Sequence, residues 1–112
     1  MTDLDERIIR VFPDPDAVAR AAADWLLPLI QASGQRPFSL ALSGGSTPQR
    51  FYRLLASEPY RSQLPWERLH VFLVDERHVP FDHADSNYLM IREAMLDHVP
   101  IPSTNVHPMP TD

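Results

Sequence analysis

Three short runs rich in β-branched and aromatic residues alternate with stretches whose apolar residues recur at helical spacing. That alternation constrains the fold more than any other feature. The runs are Ile8 to Phe12, Phe38 to Leu42 and Leu69 to Val74. Such side chains suit a pleated, half-buried surface. Between the first and second runs, Val18, Ala22, Trp25, Leu26, Leu29 and Ile30 define one apolar helical face. Asp14 is placed to cap that helix, with Pro15 at its first position, where a missing N–H costs nothing. Pro28 removes the bond to the Asp24 carbonyl and predicts a kink or an end nearby, and Gly34 is a stop signal. Between the second and third runs, Phe51, Tyr52, Leu54 and Leu55 supply a buried side, Thr47 is the expected cap, Pro48 the expected first position, and Glu58-Pro59 closes the helix. Beyond the third run, Leu89, Met90, Ala94 and Met95 repeat the helical pattern. Val99 to Asp112, with four prolines, reads as largely extended. The expected fold is α/β: a parallel sheet with flanking helices, Rossmann-like and three-layered. Phe38 to Leu42 is apolar except for Ser39, which suits a strand covered on both faces.

A chain of 112 residues forms one small domain with a modest core. Its net charge of −5 leaves no basic stripe for nucleic acid. No apolar run approaches membrane-spanning length, and the acidic start, Met1 to Glu6, has no signal-peptide core. Cysteine is absent, so disulfide and thiol chemistry are excluded. A cytoplasmic location is expected.

Two loops carry the chemistry. Ser43-Gly44-Gly45-Ser46-Thr47-Pro48 joins the second run to a helix start. A helix start presents N–H groups without intrahelical partners and a partial positive charge. Glycines remove the side chains that would hold an anion away, which makes the loop a candidate phosphate cradle. An ordinary capped turn is the alternative. The loop has neither the G-x-G-x-x-G pattern for a dinucleotide nor the Gly-Lys-Ser/Thr of an NTPase loop, and no Gly-x-Ser-x-Gly elbow for a nucleophilic serine. The second loop opens with Asp75-Glu76-Arg77. Asp75 directly follows Val74, where burial and partners can tune a carboxylate, and Arg77 offers a planar fork for a phosphate or carboxylate. A solvated charged turn is the alternative here. His78 and His83, with Asp82 and Asp85, fit no strong ligand spacing, so no metal is expected. His70 reads as a packed or edge histidine, and His98 and His107 carry no motif. Ligands of parallel sheets bind beyond the carboxyl ends of the strands, where both loops lie. They form one site only if their strands are neighbours.

Taken together, Ser43-Gly44-Gly45-Ser46-Thr47-Pro48, Asp75-Glu76-Arg77-His78-Val79-Pro80 and Asp85-Ser86-Asn87-Tyr88 resemble the 6-phosphogluconolactonase family. The related glucosamine-6-phosphate isomerases and deaminases share the architecture, but the double glycine and Arg77 favour the lactonases. The resemblance implies hydrolysis of 6-phospho-glucono-δ-lactone to 6-phosphogluconate in the oxidative pentose phosphate pathway, a carboxylic ester opening by water without cofactor. It implies substrate contacts at Ser43, Gly44, Gly45, Ser46, Thr47 and Arg77, and an active-site carboxylate at Asp75. The partner implied is a sugar-phosphate lactone, with no nucleic acid and no membrane. The family's catalytic histidine lies in a Gly-x-Asp-Gly-His-type motif, and none occurs in this sequence. The expectation is therefore that residues 1–112 are the N-terminal part of a single sugar-phosphate-binding domain whose C-terminal part is absent. An exposed sheet edge would then favour self-association. A non-catalytic sugar-phosphate sensor and an aminosugar isomerase are the alternatives.

Overall fold

The computed structural model describes residues 9–111. Helix α1 spans Pro15–Ala32, strand β1 Phe38–Leu42, helix α2 Ser46–Leu55, the single turn α3 Tyr60–Gln63, and strand β2 Leu69–Leu73. Helix α4 spans Asn87–Ala94 and strand β3 Val106–His107. The three strands pair in the order β1-β2-β3, all parallel. Phe38 faces Leu69, Leu42 faces Leu73, and Phe72 faces His107. The pairing runs one residue further, since Val74 N donates to Leu42 O at 2.9 Å.

In-register residues of neighbouring strands share a face. Leu42, Leu69, Val71 and Leu73 therefore point the same way, and all are buried. They meet Ala23, Leu26 and Ile30 of α1, Tyr52 and Leu55 of α2, and Ile91 and Ala94 of α4 in one apolar cluster. Each large aliphatic side chain buried there contributes roughly 1.5–3 kcal/mol. The opposite face carries Ser39, Ala41, His70, Phe72, Val74 and His107. Among the described residues no helix covers it: Phe72 is 41% and Val74 59% exposed. The helices thus lie on one side of a parallel sheet, and the expectation that β1 is covered on both faces is overturned. Phe72 stacks on His107 at 4.4 Å, and His107 Nε2 lies 3.2 Å from His70 Nδ1, so the bare face holds a ladder of three rings.

Other expectations change in detail. Residues 9–12 form no strand, and Ile8 lies outside the described residues. Propensity alone does not make a strand: the outer edge of β1 has no partner among the described residues, and Val11 is fully open to solvent. The Asp14 cap is confirmed, its carboxylate accepting from Ala17 N at 2.8 Å with Pro15 at the first position. Helix α1 does not end at Pro28 but runs on to Ala32. Asp24 and Pro28 are both exposed, so water can satisfy the carbonyl that Pro28 deprives of its partner. The buried stripe is Ala19, Ala23, Leu26 and Ile30. Val18, Trp25 and Leu29, assigned to the core face from spacing, are exposed, Trp25 by 69%. Gly34 stops the helix in the left-handed region, at φ 67°. Through Thr111 the proline-rich tail is largely extended but is interrupted by a 3-10 turn at Ser103–Asn105, and its Val106–His107 supplies the third strand. That strand is positioned by the buried Asn105, whose Nδ2 donates to Glu67 O at 3.1 Å.

Candidate active site

At the carboxyl end of β1, Ser43 and Gly44 lead into α2. The cap is Gly45, not Thr47, and the helix starts at Ser46, which places Pro48 at its third position. The N-cap residue adopts a non-helical conformation, and at Gly45 this is φ 114°, ψ 161°, a region open essentially to glycine alone. Gly45 O accepts from Gln49 N at 3.1 Å. No side chain caps the helix, and the N–H groups of Gly45, Ser46 and Thr47 find no partner among the described residues. Ser46 and Thr47 are exposed, and their hydroxyls make no hydrogen bond among the described residues. The loop is tied down from behind. Tyr52, buried one and a half turns along α2, donates its phenol to Ser43 O at 2.7 Å. Burial pushes the Tyr52 phenol above its ordinary pKa, against the lowering effect of the bond to Ser43. A cavity of about 300 Å³ lies beside the loop, lined by Ser43, Thr47, Phe51, Tyr52 and the α1 face.

At the carboxyl end of β2, the organising group is Glu76. Its Oε1 accepts from Arg77 N and Asn87 N, each at 2.7 Å, and its Oε2 from Tyr88 N at 2.9 Å and Ser86 Oγ at 3.1 Å. One carboxylate therefore closes residues 77–86 into a loop and sits at the positive N-terminal end of α4. Desolvation works to raise its pKa, but the bonds from Tyr88, Arg77, Asn87 and Ser86 outweigh it, and the net displacement is downward. Ser86, almost wholly buried, is the N-cap of α4, accepting from Leu89 N at 3.2 Å while donating to Glu76. Asp75 is exposed, with Asn87 Nδ2 3.4 Å from its Oδ1 and 3.3 Å from its carbonyl oxygen. Arg77 is exposed, and its guanidinium makes no ion pair among the described residues.

The two loops meet at one point. A Cβ added to Gly44 would lie 2.2 Å from Asn87 Oδ1 and 2.6 Å from its Cγ. Because β1 and β2 are neighbours, the sheet order brings the predicted residues Ser43, Gly44, Gly45, Ser46 and Thr47 to the same sheet end as Asp75 and Arg77. Sequence reasoning missed three residues of this arrangement in their present roles: Tyr52, Glu76 and Asn87. Ser86-Asn87 just before the apolar positions Leu89 and Met90 was a readable helix-start signal. Nothing local announced the long-range bonds of Glu76. The histidines do other work. His83 accepts from Asp85 N at 3.0 Å inside the turn, and His98 Nε2 lies 2.8 Å from Glu93 O.

A parallel sheet with a glycine-capped helix start and a carboxylate-arginine loop at adjacent strand ends defines an α/β protein with two loops gathered at one end of its sheet. The model of the glucosamine-6-phosphate isomerases/6-phosphogluconolactonase family matches residues 13–112, and the chain belongs to that family. It is 43% identical over 108 residues to 6-phosphogluconolactonase of Nostoc sp., covering 95% of this chain and 43% of the relative. It is 56% identical over 73 residues to that of Synechocystis sp., covering 65% of this chain and 29% of the relative. The solved 6-phosphogluconolactonase of Trypanosoma brucei superposes with a TM-score of 0.82 at 39% identity, over 95% of this chain and 40% of that one. A monomeric glucosamine-6-phosphate deaminase shares the fold, with a TM-score of 0.78 at 17% identity. The chain spans about two fifths or less of the length of these relatives.

Proposed function

We propose that this chain is the substrate-anchoring part of a cytoplasmic 6-phosphogluconolactonase. Its loops hold the sugar phosphate while further polypeptide completes the domain. What supports the reading most is the meeting of the Gly44 loop and the Asp75–Arg77 loop at adjacent carboxyl ends of a parallel sheet. The free N–H groups of Gly45 to Thr47, the hydroxyls of Ser43, Ser46 and Thr47, and the Arg77 guanidinium bind and orient the anionic substrate. Asp75 is the active-site carboxylate. Opening the lactone requires a general base to take a proton from the attacking water and donors to stabilise the developing oxyanion. Neither His78 nor His83 is the family's catalytic histidine, so the base comes from the C-terminal part of the domain. Residues 1–112 are accordingly the N-terminal part of one sugar-phosphate-binding domain. The remainder packs its own layer on the bare face of Ala41, Phe72 and Val74, since parallel sheets are stable with both faces covered. Without it, the chain self-associates through that face or the open edge of β1.

Titration of the ¹⁵N-labelled chain with 6-phosphogluconate tests the reading. The amides of Gly44 to Thr47 and of Arg77 are expected to shift together. Arg77→Lys is expected to weaken binding by about 1.5–3 kcal/mol, the worth of one charge-assisted contact. No shift at either loop, or full affinity in the Lys variant, would remove this chain's assigned contacts. The isolated chain is expected to lack the factor of about 10²–10⁴ that a general base supplies.

A further inference from the structure

Gly44 and Gly45 look equivalent in sequence, yet different constraints hold them. Gly45 needs its positive φ and has room for a Cβ, which would meet nothing nearer than Pro48 Cδ at 3.5 Å. Gly44 has no positive φ, so its backbone conformation does not itself call for glycine. What excludes a side chain there is the carboxamide of Asn87. That carboxamide is tethered by two long hydrogen bonds, at 3.3 and 3.4 Å. Asn87 is the first residue of α4, with its backbone N–H fixed to Glu76 Oε1, and its Nδ2 reaches both the carbonyl and the carboxylate of Asp75. Its Oδ1 lies against Gly44 and makes no hydrogen bond among the described residues.

Resting on the functional reading above, we infer that Asn87 is a positioning residue: its side chain is the strut that sets the spacing between the Gly44–Thr47 loop and Asp75. The strut touches one loop by van der Waals contact and the other by hydrogen bonds. Its length therefore fixes how far the anion cradle stands from the active-site carboxylate. A ligand gripped at both ends reads that spacing, whereas a lone phosphate in the cradle does not. Asn suits the place for two reasons. Its neutral amide can donate to Asp75, where an Asp at position 87 would set two carboxylates against each other. Its short side chain fills the room that Gly44 leaves.

Two measurements on the 112-residue chain test this. The first is a double-mutant cycle in urea denaturation with Gly44→Ala, Asn87→Ala and the pair. Gly44→Ala alone is expected to destabilise through the clash, and in the Asn87→Ala background the same change is expected to cost much less. If Gly44→Ala does not fold, recovery of a cooperative transition in the double variant reads the same coupling. Additive effects, or no recovery, overturn the strut. The second is affinity for 6-phosphogluconate and, separately, for inorganic phosphate. Asn87→Ala is expected to weaken the sugar phosphate about tenfold and phosphate by less than about twofold. An equal loss for both ligands, or none for either, overturns the positioning role. If the parent chain binds neither ligand, the functional reading fails, while the coupling of Gly44 to Asn87 still decides whether the strut exists.

Discussion

Residues 43–45, after β1, are mostly backbone. One phenol, from Tyr52, ties Ser43 O to α2 and Gly45 O accepts from Gln49 N, while the N–H groups from Gly45 to Thr47 have no partner among the described residues. Residues 74–86, after β2, form a longer loop whose closure depends on a carboxylate that spends both oxygens on its own chain. The first loop is shaped by what its residues lack, and the second by what one residue supplies. A ligand site needs both kinds. Groups left free are available to the substrate, and groups fully engaged hold the free ones in place. The difference predicts that substitutions in the second loop act first on stability, and those in the first loop through backbone strain or ligand affinity.

The largest effect is expected at Glu76. Glu76→Ala strips four donors of their acceptor at once and is expected to cost about 2–4 kcal/mol, allowing for water to reach this half-buried site. Urea denaturation measures it, and amide exchange at Arg77, Asn87 and Tyr88 is expected to quicken most. An unchanged transition would show that the carboxylate is decoration and the loop is held otherwise. The pH dependence follows with a definite sign. The folded-state pKa of Glu76 is depressed, so the unfolded chain binds its proton more readily. The stabilisation is present above the ordinary glutamate value near 4.5 and is lost as pH falls toward the folded value. Glu76→Gln is expected to flatten that acid limb of the stability curve, and an identical acid limb in the two proteins would assign it to other carboxylates.

A middle-sized effect separates the two glycines. Gly45→Ala forces an alanine to φ 114°, ψ 161° and is expected to cost about 1–3 kcal/mol wherever the side chain at 87 lies. Gly44→Ala, by contrast, is to be rescued by Asn87→Ala. Melting curves of both alanine variants in the parent and Asn87→Ala backgrounds make the distinction. Rescue of Gly45→Ala as well would mean that crowding, not conformation, governs both positions.

These contrasts mark what was legible in the sequence. The strands Phe38–Leu42 and Leu69–Leu73 were legible because alternation of strand and helix signals is local. The Asp14 cap and the Gly34 stop were legible for the same reason. Ser43–Thr47, Asp75 and Arg77 were placed in loops at strand ends, and only the β1-β2 pairing brings those loops to one end of the sheet. The helix start at α2 was misplaced by two residues, because Thr47-Pro48 mimics a cap while Gly45 takes the cap conformation. Residues 9–12 have strand composition without a strand partner. The exposed Trp25 has helical spacing, but the stripe that packs is centred on Ala23. Glu76 was quoted in the motif and given no role, because its partners are Ser86, Asn87 and Tyr88, ten or more residues on.

The smallest effect is expected where the glycine loop has its one side-chain tie. Tyr52→Phe removes the donor to Ser43 O and nothing else, since the ring stays packed in the core. Ser43 is half-buried, so water can reach the freed carbonyl, and the cost is expected at about 0.5–1.5 kcal/mol. The same phenol carries an alkaline signature. Burial raises its folded-state pKa, so its contribution is present below the unfolded value near 10 and is lost as pH rises through the folded value. Tyr52→Phe is therefore expected to lower the midpoint at neutral pH and to soften the alkaline fall. Because the tie holds the carbonyl side of the loop and not its N–H side, affinity for inorganic phosphate is expected to change less than about twofold. A large loss of phosphate affinity with little loss of stability would reverse the assignment. It would make Tyr52 the residue that orients the cradle, and the loop after β1 would then depend on side chains as the loop after β2 does.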